Sequence, residues 1–196
     1  MTYPLRSGNH IDLLDSGAQF FPALIAALDA ARHEIFFESY IYAEDHTAQK
    51  VTDALAAAAR RGVAVRVIVD GFGARDLAEA YRASLVAAGV ELLVYRPPLW
   101  WQPVRGLRRM HRKLAVADKA LAFVGGINIV DDWNAPDEVP PRYDYSVRIK
   151  GPLRPHPAVL ALLHHVPERA RILSGDIKSV ATDLPQLEQQ FQRFGV

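Results

Sequence analysis

Between residues 33 and 96, three runs rich in β-branched and aromatic residues (HEIFFESYIYAED, VAVRVIVDG and VELLVYR) alternate with two stretches of helical composition. No other feature constrains the fold as tightly. A strand that rejoins its sheet through a helix runs parallel to its predecessor, because the crossover returns the chain to the starting edge. Residues 47–61 are Ala-rich and stop at Gly62, where a helix ends in a left-handed residue. A second helix, opened by Asp76 and Glu79, stops at Gly89. Upstream, residues 11–14 read as a short strand. Ser16 with Gln19 reads as a capping box that starts a helix through FFPALIAALDAAR. The order strand, helix, strand, helix, strand with short turns predicts an α/β sandwich around a largely parallel sheet.

After residue 96 the pattern changes. PPLWWQPVRGLRRM, residues 97–110, reads as an irregular, exposed loop. Its Trp100 and Trp101, with Arg105, Arg108, Arg109 and Arg112, form an aromatic and basic patch suited to an anionic lipid surface. A nucleic-acid backbone would also match such a patch. Residues 111–117 and 120–125 read as strands joined by a tight Asp118-Lys119 turn. Residues 126–133 start a short helix, 131–142 form a proline-rich loop, and 143–150 form another strand. Prolines 152, 155, 157 and 167 then break up the chain. The expected organisation is one domain over 1–152 and a helical, proline-broken tail over 153–196.

Composition narrows the chemistry. The formal net charge is +1, so an electrostatic grip on nucleic acid is not expected. There is no cysteine, which excludes disulfides, thiolate metal sites and cysteine nucleophiles. The scattered histidines form no ligand set, so neither a metal nor another cofactor is expected. The N-terminus lacks a charged start followed by an apolar run. No segment approaches the ~20 apolar residues of a spanning helix. The expected location is cytoplasmic, with peripheral contact to the inner membrane.

The candidate chemistry lies in MHRKLAVADKALAFVGGIN. His111, Lys113 and Asp118 form an H-x-K-x₄-D pattern that occurs once. By this chain's composition, such a pattern arises by accident roughly one time in a hundred. On a strand, side chains two apart share a face, so an imidazole and an ammonium would stand together. A nucleophile or base beside a fixed positive charge suits a phosphate. Asn128 follows the Gly125-Gly126 pair, and a tight turn there would carry its amide toward the same face. Phosphodiester transfer also needs a group to protonate the leaving oxygen, and a single motif does not supply one.

HRKLAVADKALAFVGGIN resembles the HKD motif of the phospholipase D superfamily. With FFESYIYAED, RRGVAVRVIVDGFGARD and YDYSVRIKGP, the chain resembles bacterial cardiolipin synthases over residues 10–152. Those proteins normally carry two HKD halves in one polypeptide, and this chain resembles the first. The resemblance implies a phospholipase D-like α/β sandwich, with a mixed, mostly parallel sheet flanked by helices. It implies that His111 is the nucleophile of a phosphohistidine intermediate and that Lys113 and Asn128 hold non-bridging phosphate oxygens. Asp118 would serve the turn rather than proton chemistry. Asp144 would orient His111, with Asp132 a rival for that role. Glu38 matches an acid these synthases carry facing the site; the competing reading is a strand-end carboxylate paired with an arginine. Arg109 and Arg112 would contact the substrate.

The implied activity is phosphatidyl transfer of the cardiolipin-synthase type on phosphatidylglycerol-like lipids. The second histidine would come from a homodimer or from another HKD-bearing subunit. The same residues are compatible with a dimeric phosphodiesterase or nuclease of the superfamily, and with an inactive half-synthase.

Overall fold

The computed structural model of the chain describes residues 8–95, 109–136 and 139–151. The chain divides into the units Met1–Leu153 and Arg154–Val196. The predicted tryptophan-arginine loop over 97–108 and the tail over 153–196 lie outside the described residues.

The elements run β1 (His10–Asp15), α1 (Ser16–Ala30), β2 (Glu34–Ser39), α2 (His46–Arg60), β3 (Ala64–Asp70), α3 (Glu79–Ala87) and β4 (Glu91–Tyr95). They continue with β5 (Leu114–Ala117), β6 (Leu121–Gly125) and β7 (Tyr145–Lys150). The sheet has seven strands in the order β1-β7-β6-β5-β2-β3-β4. Only β2–β3 and β3–β4 are parallel, while β1–β7, β2–β5, β5–β6 and β6–β7 are antiparallel. The sheet is mixed, but the mostly parallel expectation fails outside β2–β4. Helical crossovers join β2 to β3 and β3 to β4, whereas β5 meets β6 through a turn too short for a parallel return.

The main core lies between one sheet face and the three helices. Ile35, Phe37, Val65, Val67 and Val69 point into it from β2 and β3, opposite Leu24, Leu28, Val51 and Leu55. The alanines of α2, with Ala48, Ala54 and Ala58 buried, let this helix lie close to its neighbours. Because side chains alternate along a strand, Glu38 and Asp70 face the other side of the sheet.

Gly62 and Gly89 have φ of +90° and +91°, the left-handed caps expected after α2 and α3. At the start of α1 the cap differs from expectation. Asp15 is the N-cap, and Gln19 Oε1 accepts a hydrogen bond from its N–H at 3.1 Å. The short helix expected from residue 126 does not form. Ile129 instead bridges Tyr42, with Ile129 N–H donating to Ile41 O and Ala43 N–H donating to Ile129 O. The β-branched Ile127, Ile129 and Val130 suit this extended path.

Asp118 and Lys119 have φ of 52° and 53°, closing the β5–β6 turn. The Asp118 carboxylate accepts from the N–H groups of Arg32, His33 and Glu34 at 2.9, 2.8 and 2.9 Å. Burial alone would raise its pKa, but these donors hold it below 3.8. Its stabilising contribution is therefore complete above the unfolded carboxylate's pKa and is lost as pH falls through the lower folded value. Asp118→Ala is expected to cost about 2–3 kcal/mol by urea unfolding at pH 7. The gap from the native chain should narrow in acid.

Candidate active site

β5 begins at Leu114, so His111 and Lys113 precede the strand rather than sit on it. They nevertheless touch. Lys113 Nζ stands 3.1 Å from both Nδ1 and Nε2 of His111. The His111 ring lies against Tyr40, with centroids 4.7 Å apart, and Lys113 Nζ is 5.3 Å from the Tyr40 ring centre. His111 is exposed and Lys113 half-buried. Burial lowers the Lys113 ammonium's pKa, and the Asp144 carboxylate opposes that shift.

Asp70, buried at the end of β3, holds the approach to the motif. Its Oδ2 accepts from Met110 N–H at 2.7 Å, and its Oδ1 accepts from the N–H groups of Phe72 and Gly73 at 2.9 Å each. Sequence reasoning singled out neither Asp70 nor Tyr40. An acid at a strand end before Gly71-Phe72-Gly73 was the available signal, because Asp side chains bond backbone groups two or three residues on. Tyr40 gives no such signal, since it reads as one more aromatic of a buried strand.

Asn128 is positioned through its oxygen. Its Oδ1 accepts from Ile41 N–H at 3.0 Å. That bond leaves the amide NH₂ as the free end, without a hydrogen bond among the described residues. The Gly125-Gly126 pair takes no left-handed φ. Its purpose is close approach rather than the tight turn read from the sequence. A Cβ on Gly125 would lie 2.5 Å from Ser146 Cα, and one on Gly126 would overlap the Asp144 carboxylate. The obstruction at Gly125 is backbone, whereas at Gly126 it is a movable side chain. Gly126→Ala is therefore expected to leave Tm within a few degrees while displacing Asp144, lowering turnover by about 10-fold or more. Thermal unfolding and initial rates on one preparation check both halves.

The acids separate in space. Asp144 lies beside Gly126 and acts on Lys113, and its Oδ1 accepts from Tyr145 N–H at 2.7 Å. No hydrogen bond joins Asp144 to His111 among the described residues. Asp132 Oδ2 accepts from Gly17 N–H at 2.8 Å, in the first turn of α1, and touches neither His111 nor Lys113 among the described residues. Burial raises the Asp132 pKa. Glu38 is paired with an arginine: Arg112 Nε stands 2.6 Å from Oε2, and Nη2 donates to Oε1 at 3.2 Å. Oε2 receives charge but no aligned N–H. Burial pushes the Glu38 pKa up, and Arg112 offsets this only in part. Arg109 places its guanidinium carbon 4.3 Å from the centre of the Phe72 ring.

No helix among the described residues is long and apolar enough to cross a membrane. The family model described as cardiolipin synthase, PLD-like domain matches residues 24–137. Over 150 residues, 76% of this chain, the sequence is 39% identical to cardiolipin synthase B of Shigella flexneri and 41% identical to that of Salmonella typhimurium. Over 139 residues, 69% of this chain, it is 35% identical to the cardiolipin synthase of Geobacillus thermodenitrificans. The matched segments span 36%, 36% and 27% of those proteins, so this chain corresponds to about a third of their length. Among solved structures, the phospholipase D family member Nuc from Salmonella typhimurium superposes with a TM-score of 0.56 at 20% identity, covering 83% of this chain and 95% of Nuc. NucT from Helicobacter pylori superposes at 0.52 and 15%, covering 82% and 94%. At these identities the two structures establish the fold. The chain therefore belongs to the phospholipase D superfamily, within the family of cardiolipin synthase PLD-like domains.

Proposed function

We propose that this chain is half of a phosphatidyltransferase site that acts on phosphatidylglycerol-like diesters at a membrane surface. His111 attacks phosphorus and forms a phosphohistidine while the glycerol oxygen leaves. A second histidine gives that oxygen its proton. A lipid hydroxyl then returns a proton to the second histidine, attacks phosphorus and releases His111. Lys113 and the free NH₂ of Asn128 hold the non-bridging oxygens, where charge grows in the transition state. Asp144 steadies this cationic group, and Asp118 fixes the turn behind it.

The contact of Lys113 with the exposed His111 ring carries this reading, because it places a fixed charge at the attacking atom. This sequence carries one such motif, and a second HKD motif, for example from another copy across a two-fold axis, would supply the second histidine. The test incubates the full chain with phosphatidylglycerol vesicles and measures products by mass spectrometry. Cardiolipin with released glycerol supports the proposal. Phosphatidic acid alone would make the chain a hydrolase, and no turnover by a chain that light scattering shows to be dimeric would overturn the reading in which two copies complete the site.

A further inference from the structure

We propose that Arg75 and Arg109, both stacked on Phe72, form a cationic subsite for the phosphate of the acceptor lipid, a phosphodiester bearing a free glycerol hydroxyl. The inference rests on the phosphatidyl-transfer reading above. The Arg75 and Arg109 guanidinium carbons lie 4.7 and 4.3 Å from the centre of the Phe72 ring. Phe72 is 40% exposed, so the group faces solvent where a headgroup can reach it. Bringing two like charges to one ring opposes folding unless something compensates. The compensation within the protein is slight. Arg75 has Asp76 at 3.6 Å, and that carboxylate is 81% exposed. Arg109 has no carboxylate partner among the described residues. Two guanidiniums with most of their N–H groups unused among the described residues match the oxygens of a phosphate.

The same geometry ties this group to the nucleophile. The Asp70 carboxylate holds the N–H groups of Phe72 and Gly73 with one oxygen and that of Met110, the neighbour of Arg109, with the other. One buried acid thus fixes both the Phe72 loop and the segment entering the motif. Gly73 abuts Tyr40 so closely that a Cβ there would lie 2.8 Å from Tyr40 Cε2. Tyr40 in turn lies against the His111 ring. The Phe72 loop, Tyr40 and His111 are therefore linked by successive contacts.

The chemistry explains why a second anion subsite belongs there. In the resolving step the attacking hydroxyl and the acceptor's own phosphate sit on the same glycerol. Holding that phosphate presents the hydroxyl to the phosphohistidine. Water carries no such handle, so the subsite favours transfer over hydrolysis.

The experiment compares the native chain with Arg75→Gln, Arg109→Gln and the double variant. One measurement is the ratio of cardiolipin to phosphatidic acid formed on phosphatidylglycerol vesicles. The other is glycerol 3-phosphate binding, followed by NMR at the Arg75 and Arg109 Nε–H signals, which report this position and not the His111–Lys113 pair. The ratio is expected to fall at least 10-fold in the double variant. In the native chain both Nε–H signals should shift on titration, and each single variant should weaken binding at the remaining arginine at least 10-fold. An unchanged ratio with native cardiolipin synthesis intact would overturn the subsite and leave the transferase standing. Nε–H signals that do not respond to glycerol 3-phosphate would also overturn it. Arginine-dependent binding in a dimeric chain that turns over no lipid would retain an anion site and sink the reading in which two copies complete the transferase.

Discussion

Alanine in place of His111 is expected to lower turnover of a phosphodiester substrate by about 10⁴-fold or more, with no compensating change in KM. His111 is exposed and its contacts are with Lys113 and Tyr40, so deletion removes no core packing. Unfolding should therefore shift by well under 1 kcal/mol, as for other surface substitutions. A large loss of rate with unchanged stability separates a nucleophile from a structural histidine. Rates measured with a soluble chromogenic diester, beside a urea unfolding curve, provide the check. A variant retaining a tenth of native turnover would remove His111 from the chemistry.

Arg112→Ala is expected to produce the largest stability loss, about 3 kcal/mol at pH 7. Removing one partner of a buried pair strands the other charge. Glu38 is the buried partner and Arg112 the more open one, at 1% and 45% side-chain exposure. The pH dependence follows from the sign of the Glu38 shift. Its folded pKa lies above 4.5, so the carboxyl's favourable contribution is present below 4.5 and is lost as pH rises through the folded value. Removing Arg112 raises the folded value further. The variant's deficit should accordingly be greatest near neutrality and shrink in acid. Glu38→Gln on the Arg112→Ala background should recover part of the loss. Thermal unfolding from pH 4 to pH 8 tests both, and a deficit that deepens toward acid would contradict the assignment.

The two halves of the sheet differed in how far the sequence revealed them. β2 to β4 announced themselves because strand composition, helix composition and closing glycines are local signals, and Gly62 and Gly89 occupy the left-handed caps expected of them. Of the antiparallel half only the β5–β6 hairpin, closed by the Asp118-Lys119 turn, was legible, because the rest of its pairing is long-range. β7 lies between β1 and β6, with Leu13 opposite Val147, and no local pattern specifies that neighbour. The glycine pair was visible, but its reason was not: Ser146 and Asp144 fill the space beside it, and both come from the far end of the domain.

At the site, the H-x-K spacing placed His111 and Lys113 together although the strand read from residue 111 starts only at Leu114. Asp132 and Asp144 could not be separated by sequence, since both are acids near the motif's end. The fold sends Asp132 to the N-terminus of α1 and Asp144 to the neighbourhood of Lys113. Asp70 escaped notice because its partners are backbone N–H groups, one of them on Met110, forty residues away.

The central claim is that His111 forms a covalent bond to phosphorus. Mixing the native chain with phosphatidylglycerol vesicles, quenching at alkaline pH where phosphohistidine survives, and mapping peptides by mass spectrometry tests this most directly. The account predicts a phosphatidyl adduct on the peptide containing His111, absent from His111→Ala and removed by added lipid acceptor. Product formation by the native chain with no adduct on that peptide under rapid quench, or an adduct on another residue, would contradict it.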